Sequence, residues 1–345
     1  MKMKPKTNPT ILAIESSCDD TAVAIWKDGS LKSNIIASQE IHKNYGGVIP
    51  ELASRAHMQH IVPTTSIALK DANIALEELD AIAYTQTPGL MGSLLVGASF
   101  GKSLAQSLSI PSIPIHHLQA HILAHFIAAP KPDFPFLCLT VSGGHTQLVL
   151  CNGPLEMRIL GSTIDDAAGE AFDKVAKMLG FPYPGGPYID KYAQNGNPNA
   201  FLFPIANVPD FDYSFSGIKT AVMYFLQREV NKDPNFIENN IEDICASVQY
   251  TIIKTLLQKL SKAQKQYKIK HIGIAGGVSA NSGLRKAFKD WAEKKSCESY
   301  IPDFEYCTDN AGMIAVTAYY KYLAGDFGDL RTVPKAKSPI PEVYG

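Results

Sequence analysis

The chain has 345 residues, of which 46% are hydrophobic and 19% are charged, and its formal net charge is −1. This length accommodates two lobes or one large α/β unit, and the sequence lacks the run of about 18–20 apolar residues that forms a membrane helix. A protein that binds nucleic acid unaided usually has a basic surplus, so here any contact with nucleic acid must be local or supplied by a partner.

The amino-terminal segment and the cysteines predict the compartment. The first residues are basic but lack the long apolar stretch and the cleavage site of a secretory signal. The six cysteines are scattered and form no Cys-x-x-Cys pair. We therefore expect reduced thiols, a cytoplasmic location and no association with membranes.

Three strand-and-turn segments recur along the chain. Residues 11–26 and 136–150 each show an apolar β run, a small polar turn and a second β run, which predicts a hairpin with a polar tip. Residues 271–281 form an apolar strand that enters a glycine turn before a helix. The repetition predicts two related lobes, each opening with a β-hairpin and each with helices packed on a mixed sheet.

Helical periodicity fills the gaps between these segments. The predicted helices span residues 49–69 (interrupted by Pro63), 91–108, 117–128, 165–178, 216–227, 241–263, 282–295 and 311–323.

Glycine pairs stand at three turns, at residues 143–144, 185–186 and 276–277. Backbone N–H groups in such turns, or at a helix start, can converge on an anionic oxygen, and glycine lets a ligand approach closely. Each pair alone is typical of an ordinary turn, but the three together favour a nucleotide-type pocket. The sequence contains neither the P-loop motif nor the dinucleotide-binding GxGxxG motif.

A histidine pair indicates a metal site. His117 and His121 lie at i and i+4 of a predicted helix, so both rings can reach one ion, whereas His125 is about 12 Å from His117 along the axis. The helical zinc proteases have a glutamate after the first histidine, and here that residue is Leu118. Asp309 is a candidate third ligand; the alternatives are a helix N-cap for Asp309 and plain core or surface positions for the histidines.

Acidic residues cluster in two further places. Asp166, Glu170 and Asp173 fall near one face of a predicted helix, which indicates either a solvent-facing stripe or a site for a ligand's hydroxyl groups or an ion. Asp19 and Asp20 lie at the tip of the first hairpin. They resemble the acidic turn of a phosphotransferase lobe, but an ordinary hairpin turn also favours aspartate.

Nine motifs follow one another in the order of a known family. They are IESSCDDT at 14–21, GGVIPELASR at 46–55, HLQAH at 117–121, VSGGHT at 141–146, DDAAGEAFDK at 165–174, YPGGP at 183–187, SFSGIKT at 214–220, AGGVSAN at 275–281 and CTDN at 307–310. Together they resemble the bacterial tRNA N6-adenosine threonylcarbamoyltransferase (TsaD) family, over residues 11–340.

This resemblance implies an α/β architecture of two lobes around a nucleotide-type cleft, as in actin, hexokinase and the heat-shock ATPases (the ASKHA fold). We expect one lobe at residues 1–130 plus 303–345 and the other at 131–302. It also implies transfer of a threonylcarbamoyl group from threonylcarbamoyl-AMP to N6 of adenosine 37, in tRNAs that read ANN codons. The implied partners are tRNA, a catalytically inert paralogue in a heterodimer, and a small P-loop ATPase.

The resemblance also implies the site residues. One divalent metal ion per subunit, Fe²⁺ rather than Zn²⁺, is expected on His117, His121 and Asp309. The implied substrate contacts are Thr140, Val141, Ser142, Gly143, Gly144, Asp173, Gly186, Asp190 and Asn281. Asp19 and Asp20 are candidates for accepting the proton of the attacking amine, but the sequence assigns no base.

The chain departs from the family pattern at Thr87, where glycine is usual, at Gln119-Ala120, at His125 and at Asp20, which shortens the common glutamate. None of these removes a proposed metal ligand. Three other functions compete with the transferase. A metallo-endopeptidase is disfavoured by Leu118 and by the glycine loops, a kinase or ATPase of the same fold by the metal helix, and a non-catalytic scaffold by the histidine pair.

Overall fold

The computed structural model describes residues 6–39, 42 and 45–341. These divide into two compact units. Unit 1 holds the described residues within 1–131, 153–157 and 302–345, and unit 2 holds 132–152 and 158–301. Residues 1–5 and 342–345, which belong to the first expected lobe, lie outside the described residues.

The strands, in chain order, are β1 Ile11–Glu15, β2 Asp20–Lys27, β3 Ser30–Ser38, β4 Ala81–Thr87, β5 Ser112–His116, β6 Phe136–Val141, β7 Thr146–Cys151, β8 Met157–Ser162, β9 His271–Ala275 and β10 Glu298–Tyr300. The helices are α1 Pro50–Ala72, α2 Met91–Ser107, α3 His117–Leu123, α4 Ala168–Met178, α5 Gly186–Ala193, α6 Ser216–Val230, α7 Phe236–Tyr267, α8 Ser282–Lys294, α9 Phe304–Cys307 and α10 Ala311–Leu323.

Each unit has one five-stranded mixed sheet, and the two sheets have the same strand order. In unit 1 the order is β3-β2-β1-β4-β5, and in unit 2 it is β8-β7-β6-β9-β10. In unit 1, β1 pairs antiparallel with β2 and parallel with β4. In unit 2, β6 pairs in the same way with β7 and β9. The two predicted hairpins are therefore confirmed, and so is the pair of related mixed sheets.

The unit 1 sheet is covered on both faces. Leu12 and Ile14 of β1 pack with Ile61 of α1 and Ala98 of α2. Successive residues of a strand point to opposite faces, so Ile11 lies on the other face, where α10 packs. This burial explains why β1 is apolar at almost every position.

Helices α4, α6, α7 and α8 contribute to the core of unit 2. Leu137 and Leu139 of β6 and Ile274 of β9 share one cluster with Phe172 of α4 and Phe288 of α8. Parallel pairing of β6 with β9 brings Thr140 opposite Ala275. The carboxyl ends of these strands therefore lie together, and the glycine turns that follow them are neighbours.

Several predicted helix boundaries were wrong. Helix α3 ends at Leu123 and continues only as a 3-10 turn, Ala124–Phe126, rather than to residue 128. Helix α4 begins at Ala168 rather than at Asp165, because the Asp165 carboxylate accepts hydrogen bonds from Phe215 N–H (2.8 Å) and the Ser216 hydroxyl (2.7 Å). Asp165 therefore accepts hydrogen bonds at the start of α6 instead of beginning α4.

Two further features concern the cysteines and the possibility of a membrane-spanning helix. All six cysteines are free thiols, as expected. Among the described residues, no helix is long and apolar enough to span a membrane.

Candidate metal centre and glycine loops

The histidine pair lies where the edge strand of the unit 1 sheet turns into a helix. Strand β5 ends at His116, and α3 begins at His117. One helical turn therefore separates His117 from His121, and their rings meet edge to face with centroids 4.7 Å apart. Both side chains are buried, so the fold presents two imidazoles side by side, away from bulk water.

Asp309 completes the cluster. Its Oδ1 lies 3.2 Å from His121 Nε2 and 3.4 Å from His117 Nε2. The alternative N-cap role belongs to the next residue, since the Asn310 side chain accepts a hydrogen bond from Met313 N–H (2.9 Å) and caps α10. Asp309 is therefore available as a ligand.

The donor set suits a divalent cation. One nitrogen from each histidine and one oxygen of Asp309 lie within 4.8 Å of one another. Two imidazoles and one carboxylate leave open coordination positions, as in catalytic zinc and non-haem iron sites. Both Nε2 atoms converge on a single carboxylate oxygen, a geometry that a shared cation at their centre would satisfy.

The charges in the cluster are strongly coupled. Burial opposes ionisation of Asp309, yet the charge of His117 and the hydrogen bonds of both histidines hold the pKa of this carboxyl well below its usual range. Burial alone would lower the pKa of His117, but the carboxylates of Glu15 and Asp309 raise it well above its usual value. Burial lowers the pKa of His121. The pocket therefore already stabilises one positive charge between two carboxylates.

Glu15, which was not predicted from the sequence, contacts the Nδ1 side of the His117 ring. The last residue of β1, it is fully buried and lies 3.0 Å from His117 Nδ1. It also accepts hydrogen bonds from the Thr85 hydroxyl (2.7 Å) and from Ser17 N–H. Burial opposes its ionisation, but the charge and hydrogen bond of His117 keep the pKa of Glu15 below its usual value. An ionised Glu15 only accepts, so Nδ1 donates and Nε2 is left facing Asp309.

The signal that would have revealed Glu15 is its position. An acidic residue closes a strand whose five residues are all buried, and a buried carboxylate requires a partner. Its partner, His117, lies 102 residues away in the sequence. Sequence spacing alone therefore could not connect the two residues.

The two acidic residues of the first hairpin, Asp19 and Asp20, are both partly buried. Asp20 begins β2 and is partly buried, and burial raises the pKa of its carboxyl to about 6. The negative charges of Asp19 and Asp309 act in the same direction. A carboxyl with this pKa can accept a proton near neutral pH.

Leu118 occupies the position of the protease glutamate, and its side chain is buried in the core. This position therefore offers no general base to the histidine pair. His125 is also buried, in the 3-10 turn that follows α3, and is not part of the His117–His121–Asp309 cluster.

The predicted loop 140–144 comprises the end of β6 and most of the tip of the β6–β7 hairpin in unit 2. Ser142 N–H donates to the His145 carbonyl (2.8 Å), and His145 N–H donates to the Ser142 hydroxyl (3.1 Å). Gly143 and Gly144 are exposed, and no heavy atom lies within 4 Å of a Cβ built on either. The side chains of Thr140 and Val141 are buried in the strand. This loop can therefore approach a ligand through its backbone.

The second glycine loop packs against the first. Gly276 has φ of +86°, and a Cβ added there would lie 2.5 Å from the Val141 carbonyl oxygen. Only glycine fits this approach. Gly277 then begins a 3-10 turn that ends at Ala280.

Asp173 fixes the third glycine loop. Its Oδ1 accepts hydrogen bonds from Gly185 N–H (2.8 Å) and Gly186 N–H (3.2 Å), at the start of α5. The predicted acidic stripe is divided, because Lys174 pairs with Asp166 (2.7 Å) and Glu170 (2.8 Å) on the surface. Asp173 therefore acts separately from the other two acids.

Asp190 and Asn281 both hold the start of α8. Asp190 accepts hydrogen bonds from Ser282 N–H (2.9 Å) and the Ser282 hydroxyl (2.8 Å). Asn281 accepts from Leu284 N–H (2.8 Å) as the N-cap, and its amide donates to Gln249 (2.6 Å). The predicted substrate residues of unit 2 thus form three glycine loops supported by a network of side chains.

The sequence of this chain matches one protein family over most of its length. The family described as tRNA N6-adenosine threonylcarbamoyltransferase (TsaD) matches residues 30–316. The chain belongs to this family. It is therefore a member of a family of transferases, and the TsaD motifs run through both units.

Proteins of high sequence identity match this chain over nearly its whole length. A protein of Cytophaga hutchinsonii is 57% identical over 330 residues, which cover 95% of this chain and 96% of the relative. A protein of Porphyromonas gingivalis is 54% identical over 340 residues, covering 97% and 100% of the two chains. Both are named tRNA N6-adenosine threonylcarbamoyltransferase.

Solved structures of distant proteins share the fold. HypF from T. kodakarensis matches with a TM-score of 0.64 at 12% identity; the match covers 94% of this chain and 48% of HypF, so this chain spans about half of that protein. The activator of 2-hydroxyisocaproyl-CoA dehydratase from Clostridium difficile, with bound ADPNP, matches with a TM-score of 0.52 at 14% identity, covering 92% and 96%. These likenesses confirm the ASKHA fold class.

Proposed function

We propose that this chain transfers the threonylcarbamoyl group of threonylcarbamoyl-AMP to N6 of adenosine 37 in tRNAs that read ANN codons. The observation that carries this proposal is the His117–His121–Asp309 cluster, in a chain that matches the TsaD family over nearly its whole length. The buried Leu118 argues against the peptidase alternative, since a protease needs a base beside its metal.

One divalent metal ion is proposed on His117, His121 and Asp309. The two-histidine, one-carboxylate donor set is typical of non-haem Fe²⁺, so Fe²⁺ is proposed over Zn²⁺. When bound, the ion would supply positive charge to polarise an oxygen of the donor and to stabilise the charge that develops during transfer. Glu15 orients His117 for this role through its Nδ1–H.

The transfer is balanced without a protein nucleophile. The N6 amine of the adenine attacks the carbamoyl carbon, an N–C bond forms, and the bond from that carbon to the phosphate oxygen breaks, releasing AMP. The amine loses one proton. We assign its acceptance to Asp20, whose carboxyl has a pKa of about 6; Asp19, one residue earlier, is the alternative.

The glycine loops of unit 2 are proposed to bind the adenylate half of the donor. The loop Thr140–Gly144 would contribute exposed backbone at Gly143 and Gly144, and Gly186 would contribute the start of α5. Asp173, Asp190 and Asn281 are proposed to contact the donor while they hold these loops in place. Their hydrogen bonds to backbone N–H groups support the positioning part of this role.

The TsaD resemblance supports an inert paralogue and a small P-loop ATPase as partners, with the paralogue forming a heterodimer. A net charge of −1 is consistent with a subunit that shares the work of binding tRNA. We also propose that the enzyme has two lobes, one formed by residues 1–130 plus 303–345 and the other by residues 131–302.

A reconstituted reaction tests the function. The chain, both partners, a synthase that makes threonylcarbamoyl-AMP, threonine, bicarbonate, ATP and tRNA are combined, and the digested tRNA is analysed for threonylcarbamoyladenosine by mass spectrometry. Wild-type protein is expected to form the modified nucleoside, and His121→Ala to form little of it. Equal product from a metal-free His121→Ala protein would refute the metal role, and no product from the wild type would refute the transferase itself.

A further inference from the structure

The near-neutral net charge of the chain conceals a strongly basic segment. Residues 254–295 contain ten lysines and one arginine but only two acidic residues, Asp290 and Glu293. The segment therefore has a formal charge of +9, in a chain whose total is −1. The positive charge is concentrated in one part of unit 2.

Helices α7 and α8 bring these lysines together. Near the start of α8, Gly283 packs so closely on α7 that an added Cβ would lie 2.4 Å from Gln249 Nε2 and 3.3 Å from Ile253 Cδ1. Beyond the ends of both helices, Glu298 N–H donates to the Lys270 carbonyl (2.8 Å), where β9 and β10 begin side by side. The helices therefore run next to each other in the same direction and share one solvent-facing side.

Six exposed lysines define what we call the basic face. They are Lys254, Lys265 and Lys268 along α7 and its C-cap, and Lys286, Lys289 and Lys294 along α8. Lys259 and Lys262 are excluded because they donate to backbone carbonyls between residues 208 and 210.

None of these six lysines forms a salt bridge with another described residue, although Asp290 and Glu293 lie on the same exposed side of α8. Among the described residues, the lysine salt bridges of unit 2 lie elsewhere, at Lys174 and Lys232. The negative end of the helix dipole accounts for lysines in a last turn, but Lys254, Lys286 and Lys289 lie in earlier turns. Like charges at neighbouring helical positions repel one another, so this set is suited to an external polyanion.

The chemistry of the face favours nucleic acid over a protein partner. The cores of protein interfaces are apolar and aromatic, whereas along α7 and α8, all of whose residues are described, Tyr250 is the one large hydrophobic side chain that is exposed, and Lys254 lies over its ring. Surfaces that bind nucleic acid are instead polar and strongly positive. Lysine binds phosphate as a point charge and reads no base sequence.

We propose that the basic face binds the phosphate backbone of the tRNA, a proposal that rests on the proposed function. Helix α8 begins beside Asn281 and the glycine loop of residues 276–277, and its 13 residues extend about 20 Å away from that loop. Phosphates of the anticodon stem would lie along the two helices while the reacting nucleotide is held near the loops. Recognition of helical RNA largely through backbone contacts is common.

The test compares two matched triple variants of the full chain, studied with its partners. One is Lys265→Gln, Lys286→Gln and Lys294→Gln on the basic face. The control is Lys32→Gln, Lys70→Gln and Lys177→Gln, which removes the same charge at exposed positions elsewhere. Affinity for an unmodified tRNA transcript is measured over a series of salt concentrations, and thermal unfolding confirms that both variants fold.

The basic-face variant is expected to bind tRNA at least about tenfold more weakly, and its plot of log K against log salt is expected to flatten by about 2–3. The control should match the wild type. Unchanged affinity and slope in the basic-face variant would overturn the proposal, and so would loss of a partner subunit with tRNA affinity intact. The same preparations are assayed for modified adenosine. A wild type that binds tRNA but modifies none would contradict the proposed function instead.

Discussion

The fully buried carboxylate of Glu15 lies 3.0 Å from Nδ1 of His117, on the opposite side of the ring from Asp309. The imidazole is thus held between two carboxylates, with one nitrogen used as a donor and the other directed at the proposed metal. Carboxylate–histidine pairs of this kind orient metal ligands and raise their basicity. Glu15 is therefore a positioning residue for the proposed metal site.

Replacing Glu15 should weaken metal binding before it affects any other step. Glu15→Gln keeps the size of the side chain but removes its charge, and we expect metal affinity to fall by about 10- to 100-fold. The dissociation constant for Fe²⁺ and the metal content of the protein measure this effect without reference to activity. Glu78→Gln, at an exposed carboxylate in the same unit, is the control. Wild-type metal affinity in Glu15→Gln would show that the contact does not position His117.

Asp20 predicts the pH dependence of the reaction. Its carboxyl has a pKa of about 6, and a protonated Asp20 cannot accept the amine proton. We therefore expect kcat/KM to rise as the pH increases through about 6 and to level off above it. Asp20→Asn should lower kcat by about 10²- to 10⁴-fold and abolish this limb of the profile.

The same substitution should not destabilise the protein at neutral pH. Because burial raises the pKa of Asp20 in the folded state, ionisation of this group opposes folding, and stability from this source falls as the pH rises towards 6. Asp20→Asn should therefore unfold at the wild-type temperature or above it at neutral pH.

A wild-type pH profile of kcat/KM in Asp20→Asn would assign acceptance of the amine proton to another group, with Asp19 the next candidate.

Substitutions at two glycines of unit 2, Gly276 and Gly144, are expected to have different effects on stability and on ligand binding. Gly276→Ala forces a side chain onto a residue with φ of +86° and places a methyl group 2.5 Å from the Val141 carbonyl. We expect it to lower the free energy of unfolding by about 1–3 kcal/mol. Gly144→Ala meets open space, so its stability should change by less than about 0.5 kcal/mol.

Gly144→Ala should nevertheless weaken the binding of AMP, because the added methyl group occupies room that the ligand needs. Chemical denaturation and calorimetric titration with AMP distinguish the two effects. Wild-type affinity for AMP in a folded Gly144→Ala protein would place the adenylate away from this loop.

Asp173 is predicted to matter more than its acidic neighbours. Asp173→Ala leaves the N–H groups of Gly185 and Gly186 without their partner and should cost about 1–3 kcal/mol of stability, with weaker AMP binding. Asp166→Ala removes only a surface ion pair with Lys174 and should cost less than about 1 kcal/mol. Equal effects of the two substitutions on stability and on AMP binding would contradict a separate role for Asp173.

Periodicity and local spacing account for what the sequence predicted well. The two hairpins follow from apolar runs on either side of a short polar turn, and the i, i+4 spacing of His117 and His121 places both rings on one face of a helix. Asp309 lies with them, as its side-chain type and its place before a helix predicted.

The contacts that the sequence did not reveal join residues far apart in the chain. Nothing near Glu15 indicates His117, and nothing near Asp165 indicates that its carboxylate accepts a hydrogen bond from Ser216 at the start of α6. The second contact also explains why α4 begins three residues later than its periodicity suggests. Hydrogen bonds between residues distant in sequence therefore support the site through the buried Glu15 and set this boundary through the exposed Asp165.

The central claim is that transfer depends on one divalent ion held by His117, His121 and Asp309. Its most direct test is to strip the wild-type protein with a chelator, reload it with increasing Fe²⁺, and measure bound metal and threonylcarbamoyladenosine in the same samples. The account predicts that product formation is lost on stripping and returns in proportion to occupancy, saturating at about one ion per chain. Full activity of the stripped protein, or activity unrelated to bound metal, would contradict it.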